Sequence, residues 1–312
     1  MKELPHMPAM GDREVHDRSV GQFSRDLWLL MKPELTLLSV FTSLGSAYLA
    51  IGVPDVSQLL VFPLLAIGTL LVGGGSGALN QYLEREYDSL MKRTEKRPVP
   101  DARVTPGEAL AFGVITSVAG IVILSFINLL TAGLAALTLS SYIFLYTPLK
   151  RISTLSTIIG AIPGALPTLI GWASIQNALS YQSLTLFAIL FYWQMPHFYS
   201  IGWLYRNDYQ KAGYRLLTSI DTTGRKVSRA VILNQLMLGV VSLSPAVVGI
   251  VETGFIYVSV LISLAFLLFG ILFTRNVGTD ASGSWARMLF FSSLFYLPIT
   301  FSAMIIFKIH HQ

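Results

Sequence analysis

The chain has 312 residues, of which 53% are hydrophobic and only 12% charged, with a mean hydropathy of +0.60, whereas soluble domains carry about 25% charged residues. Apolar runs close to the roughly 20 residues that cross a bilayer recur along the whole length, which excludes a water-soluble globular protein and implies an all-α polytopic membrane bundle. Zero cysteines exclude disulfides, thiolate metal sites, a cysteine nucleophile and covalent c-type haem attachment. The net charge of +5 follows membrane topology rather than a nucleic-acid footprint, so no nucleic acid is expected as a partner.

Residues 1–22 form a polar leader in which Glu3, Asp12, Glu14 and Asp17 mix with Arg13 and Arg18. It lacks the apolar core of a signal peptide and is too acidic for a mitochondrial transit peptide, so a bacterial plasma (inner) membrane is expected. Phe23, Leu27, Trp28, Leu30 and Met31 then make a short apolar face beside Arg25 and Lys32. This suits a helix lying at the membrane interface, or a plain lead-in to the first span. Residues 23–308 read as one intramembrane domain and 309–312 as a tail.

Nine spans are expected, near Leu35–Ile51, Leu59–Leu79, Ala109–Phe126, Leu129–Tyr146, Ser156–Ile175, Leu184–Leu204, Val231–Ile250, Phe255–Phe273 and Ala286–Phe307. Thr105, Pro106 and Glu108 supply a capping box with proline at the first helical position of the third. The short break at Asn128 predicts a tight hairpin between the third and fourth. With the N-terminus cytoplasmic, 21 of the 22 Lys and Arg residues fall on the cytoplasmic side and only Lys308 falls across the membrane. A miscounted helix would scatter these charges onto both faces.

The densest charge lies at 80–100, just past the second apolar run. Asn80, Glu84 and Asp88 are spaced four apart, so they drift only about 80° around a helix and share one face. Arg93 and Arg97 follow at once. Carboxylates able to hold a divalent cation, with guanidinium groups close behind, suit a metal-bound diphosphate. The competing possibility is a solvated helix end, which the inward-lying amide of Asn80 weakens.

A second polar stretch runs from Gln194 to Arg215. Its one carboxylate, Asp208, stands near Arg206 and Lys211, four spans after the first motif, and could serve either a surface ion pair or a metal. His197 is the only histidine outside the two ends of the chain and follows Trp193, Gln194 and Pro196 in an apolar run. Packing, approach to a porphyrin iron and completion of a metal shell all remain open for it. Tyr146, Thr147, Lys150, Arg151 and Thr154 form a third cytoplasmic patch. It leads into Gly160, Pro163, Gly164, Pro167 and Gly171, a pattern of close helix approach or of a distorted helix lining a cavity.

Taken in order, N-x3-E-x3-D-x2-M-x-RT-x2-RP over Asn80 to Pro98, YTPLKR with the GAIPGALPTLIGW run, and WQMPHF followed by DYQKAG resemble the UbiA superfamily of intramembrane prenyltransferases, in its haem-modifying branch. The resemblance covers roughly residues 24–308. It implies a nine-helix bundle with a central cavity open toward the membrane, magnesium dependence, and farnesyl diphosphate and haem b as substrates, the haem not being a resident cofactor. Carried over residue by residue, Asn80, Glu84 and Asp88 correspond to the first acidic motif, which holds magnesium and diphosphate, and Asp208 corresponds to the second. In that second motif Asn207 and Tyr209 stand where many members have further aspartates. The implied catalytic and metal set is Asn80, Glu84, Asp88 and Asp208, the diphosphate partners are Arg93, Arg97, Lys150 and Lys211, and His197 belongs to the haem pocket. Membrane lipid and a downstream haem-handling enzyme or terminal oxidase are the implied partners. A prenyltransferase with an aromatic or chlorin acceptor, a transporter and a catalytically silent haem-handling subunit are the alternatives. The transporter fits poorly with an acidic stripe confined to one face, because transport sites lie near the bilayer midplane.

Overall fold

A computed structural model describes residues 19–52 and 56–309. The leader's residues 1–18 and the tail's residues 310–312, with His6, His16, His310 and His311, lie outside the described residues. Among the described residues the architecture is all-α, the one β-like feature being an isolated bridge between Val251 and Lys308. The principal helices are α1 (Val20–Leu30), α2 (Pro33–Ala50), α3 (Val61–Asp88), α4 (Pro106–Ser125), α5 (Leu129–Leu149), α6 (Ser156–Gln176), α7 (Tyr181–Leu204), α8 (Arg206–Lys211), α9 (Arg225–Val241), α10 (Gly254–Asn276) and α11 (Ser282–Ile306).

Seven described helices are long and apolar enough to cross a membrane, and α1 with α2, bent by 57°, makes an eighth if the pair is one span. Helix α7 has 24 residues but is diluted by Gln182, Ser183, Gln194, His197 and Ser200. The chain is an integral membrane protein. Its outward faces carry Leu129, Phe144, Tyr257 and Phe295 exposed, as expected where lipid replaces water as the solvent.

Helix edges follow the local chemistry. Thr105 Oγ1 accepts from the Glu108 amide and Glu108 Oε2 from the Thr105 amide, at 3.2 and 2.8 Å, closing the expected capping box ahead of Pro106. Asn128 caps α5 by accepting from the Thr131 amide at 2.8 Å while donating to the Ala173 carbonyl at 2.9 Å. Two helices depart from the expected edges. Helix α3 runs nine residues beyond the apolar segment ending at Leu79, because its polar residues find protein partners there. Helix α9 begins at Arg225, ahead of the apolar segment, because Asp221 Oδ2 accepts from the Lys226 and Val227 amides at 2.8 and 3.0 Å and satisfies its first turn.

Helix α5 contains a π-helical turn at Ser141–Tyr146, and α6 carries Pro163 and Pro167 inside it. Glycines set how closely the helices approach. A Cβ on Gly171 of α6 would lie 1.9 Å from the Ser43 carbonyl oxygen of α2, so the two backbones are in direct contact there. Lys308 donates to the Tyr48 carbonyl at 2.7 Å, at the end of α2 opposite to Lys32.

Gly171→Ala forces backbone displacement and is expected to destabilise the protein by about 1–3 kcal/mol. Gly133→Ala sits on an exposed face with nothing within 4 Å of the new methyl, and should be neutral or stabilising by up to about 1 kcal/mol. Thermal unfolding of the two variants in detergent should shift in opposite directions or leave Gly133→Ala unmoved. Equal destabilisation of both would contradict the close approach.

Candidate active site

Because α3 continues past its apolar run, Asn80, Glu84 and Asp88 stand one turn apart on one face, and all three are buried, at 0%, 6% and 1% exposure. Arg85 and Glu86, on other faces, pair with each other at 3.4 Å near the surface. Buried carboxylates require partners. The segment 89–105 folds back to supply one: Arg97 donates to Asp88 Oδ2 at 2.7 Å, and Thr94 Oγ1 donates to the Asp88 carbonyl at 2.8 Å. The segment is fixed in turn by Arg103, which pairs with the buried Asp26 of α1.

Lys150 supplies the second partner. Its ammonium donates to both Glu84 oxygens, at 2.8 and 3.0 Å, and lies 4.5 Å from the Tyr146 ring centroid. The π turn sets this geometry. Its wider winding directs Thr147 Oγ1 to the Tyr142 carbonyl at 2.9 Å, where it also accepts from Asn80 Nδ2 at 3.1 Å. Burial by itself lowers the pKa of Lys150, but Glu84, followed by Tyr146, Tyr142 and Tyr214, holds it well above its ordinary value. Burial and then the Glu84 carboxylate push the Tyr214 hydroxyl far above the usual tyrosine range.

The third partner is Lys32, which donates to Asn80 Oδ1. Its placement corrects the expectation of a basic residue at the membrane interface, since Lys32 points inward. The residue has a left-handed backbone, φ 49° and ψ 63°, between α1 and Pro33. Such a conformation is costly for a side-chain-bearing residue and more so before proline, so contacts must hold it. Helix α3 provides them. Gln81 Nε2 donates to the Leu29 and Leu30 carbonyls at 3.1 Å each. Gly77 admits the junction so closely that a Cβ there would lie 3.0 Å from the Leu30 and Met31 carbonyl oxygens.

The second polar stretch meets the first through neighbours of Asp208. Arg93 donates to the Tyr209 hydroxyl at 2.9 Å and lies over the Tyr205 and Tyr209 rings. Met91, Ala212 and Tyr214 form a small buried cluster beneath them. Asp208 is half-buried on α8, without an ion pair or side-chain hydrogen bond to a described residue, and Lys211 is exposed at the end of the same helix. Among the described residues no three His, Asp or Glu side chains form a ready metal cluster. The acidic stripe offers hard oxygen donors in the pattern magnesium takes, currently engaged by Lys32, Lys150 and Arg97.

A cavity of about 200 Å³ reaches this charged end at Lys32 and runs between α2, α3, α5, α6 and α7. Lys32, Tyr142 and Tyr146 line one end and Trp193, Gln194 and His197 another part. Gly160, Pro163 and Gly164 give it a wall without bulky side chains, so the glycine and proline run serves both close approach and a cavity. His197 is buried, stacked on Trp193 at 5.1 Å and 23° and packed against Phe290 at 4.9 Å. Sequence reasoning placed Lys32 at the interface and Thr147 in the third cytoplasmic patch without their contacts to Asn80, and it missed Tyr214.

Residues 38–294 match the UbiA prenyltransferase family. The chain is 42% identical to the protoheme IX farnesyltransferase of Solibacter usitatus over 292 residues, covering 90% of this chain and 98% of that one. Among solved structures it superposes on a digeranylgeranylglyceryl phosphate synthase with a TM-score of 0.72 at 14% identity, covering 91% of this chain and 97% of that one. It superposes on a UbiA homologue of Archaeoglobus fulgidus bound to DMAPP and Mg2+ with a TM-score of 0.63 at 13% identity, over 89% and 99% of the two chains. With the family matched across most of its length, and the acidic stripe joined through Lys32 to an intramembrane cavity, the chain belongs to the UbiA prenyltransferase family.

Proposed function

We propose that this protein transfers the farnesyl group of farnesyl diphosphate to a vinyl group of haem b, with addition of water, giving haem O and diphosphate. The observation that carries this is the buried Asn80, Glu84 and Asp88 stripe, matched by Lys32, Lys150 and Arg97, with Lys32 also lining a cavity that His197 lines elsewhere. The 42% identity to a protoheme IX farnesyltransferase supports haem as the acceptor. Residues 23–308 act as one intramembrane domain of nine spans with a cytoplasmic N-terminus, in a bacterial inner membrane, and the site faces the cytoplasm. The skew of Lys and Arg to one side supports that orientation. A haem-handling enzyme or oxidase receives the product.

Asn80, Glu84 and Asp88, with Asp208, would hold magnesium, which when bound neutralises diphosphate oxygens as a Lewis acid. Lys150, Arg97 and Lys32, now turned to the carboxylates and Asn80, are positioned to shift onto phosphate oxygens, joined by Arg93 and the exposed Lys211. Their charge stabilises the departing diphosphate. The C1–O bond of the farnesyl group breaks with its electron pair leaving on oxygen. The terminal vinyl carbon of haem then bonds to C1, and the cation left on the inner vinyl carbon takes water and loses a proton. Tyr142 and Tyr146 present ring faces beside the charged end, where a cation is stabilised. The apolar walls of α6 exclude water from the first cation.

Membranes containing the protein, incubated with haem b, farnesyl diphosphate and magnesium, should yield a haem with the mass of the farnesyl and water adduct. No such product would overturn the assignment. Asp88→Asn should lower kcat/KM by at least about 100-fold, and near-normal turnover across a magnesium titration would overturn its metal role. Lys150→Met leaves Glu84 buried without its cation and should destabilise the protein by about 3–5 kcal/mol, while adding Glu84→Gln should recover much of that loss. Because Lys150 titrates above its ordinary value, its contribution is complete below pH of about 10.4 and is lost only as the pH rises through the folded-state value. The stability gap between wild type and Lys150→Met should therefore stay constant from pH 7 to about 9. Thermal unfolding in detergent measures all three.

A further inference from the structure

His197 sits in a more constrained setting than a packing histidine needs. Its ring is held between Trp193 and Phe290, and its Nδ1 lies 2.8 Å from Ser293 Oγ on α11. The Trp193 indole donates to the carbonyl of that same Ser293 at 2.8 Å, so two residues one turn apart on α7 grip a single residue of α11. The Ser293 hydroxyl has one proton, and its shortest contact is to the Phe290 carbonyl, to which it donates. Its oxygen is then an acceptor toward Nδ1, which must carry the imidazole proton. That leaves Nε2 as a lone pair with no hydrogen-bond partner among the described residues, on a side chain lining the cavity.

We infer that His197 presents its unprotonated Nε2 to the iron of the acceptor haem, and that Ser293 is the positioning residue that fixes the tautomer through Nδ1. This rests on haem b being the acceptor. A buried acceptor without a partner is destabilising, and an iron that takes the lone pair removes that penalty. Neutral imidazole with its other nitrogen hydrogen-bonded is the usual arrangement for binding iron. Ligation holds the macrocycle in the cavity, on the side of the His197 ring away from Ser293 and α11, and so sets which part of its edge reaches the charged end, where C1 of the farnesyl group is released. Lys32 and His197 line one cavity, so donor and acceptor meet without crossing lipid.

The test is a haem b titration of the purified, detergent-solubilised protein, followed by Soret absorption and electron paramagnetic resonance, with tryptophan quenching as an independent measure of binding. Wild type should give a histidine-ligated spectrum. His197→Ala should lose that signature while still quenching tryptophan, and added imidazole should restore it. Ser293→Ala, which leaves His197 in place, should weaken haem affinity by about tenfold or more and alter the axial signature, with Ser293→Thr restoring both. Bound haem with the same spectrum in wild type and His197→Ala overturns the ligation, even if farnesylated haem is still made. An unchanged Ser293→Ala overturns the positioning role. A wild type that neither binds haem nor makes the farnesylated product overturns the assignment of haem as acceptor instead.

Discussion

Two carboxylates and an amide buried at the end of a membrane helix are a large electrostatic liability, and much of the local structure is arranged around it. Taking a carboxylate out of water costs several kcal/mol unless a cation and further hydrogen bonds accompany it. Glu84, Asp88 and Asn80 each receive a different basic side chain, from three separate places in the chain: the bend at Lys32, the end of α5 at Lys150 and the returning segment at Arg97. The pairs act as ties among α2, α3, α5 and the 89–105 segment. The same arrangement stores positive charge beside the stripe. In the proposed reaction a diphosphate would take over these cations as a metal took over the carboxylates, so no buried charge need be left without a counterpart.

Irregular backbone supplies the reach these ties need. A continuous α-helix at Ser141–Tyr146 would rotate Thr147 and Lys150 relative to Asn80 and Glu84, and the π turn sets their direction. The left-handed Lys32 turns the chain by 57° between α1 and α2, and Gly77 with Gln81 holds that turn against α3. Strain of this kind persists where the surroundings over-determine it. Here it lies where three cations converge.

Much of the acidic motif was legible in the sequence because a four-residue spacing is a local property: Asn80, Glu84 and Asp88 had to share a face wherever the helix was continuous. The capping box at Thr105 and the hairpin turn at Asn128 were legible for the same reason. Lys32 was not, because its inward direction comes from a positive φ and from contacts nearly fifty residues away. The end of α3 was placed too early, since hydropathy falls at Asn80 while helical hydrogen bonding continues to Asp88. Ser293 left no trace at all. A serine in an apolar helix is common, and only the packing of α7 against α11 gives this one two partners.

The cavity also separates two demands that conflict chemically. In the proposed reaction, breaking the allylic C–O bond needs concentrated positive charge around a leaving group, which Lys32, Lys150, Arg97 and Arg93 would provide at one end. Receiving the cation needs a neutral, electron-rich acceptor held still in surroundings that do not react with it. In the proposed arrangement the imidazole between Trp193 and Phe290, on a helix knitted to α6 by Gln194, would hold the acceptor still. If the basic groups lined the whole cavity, the acceptor end would repel the farnesyl cation.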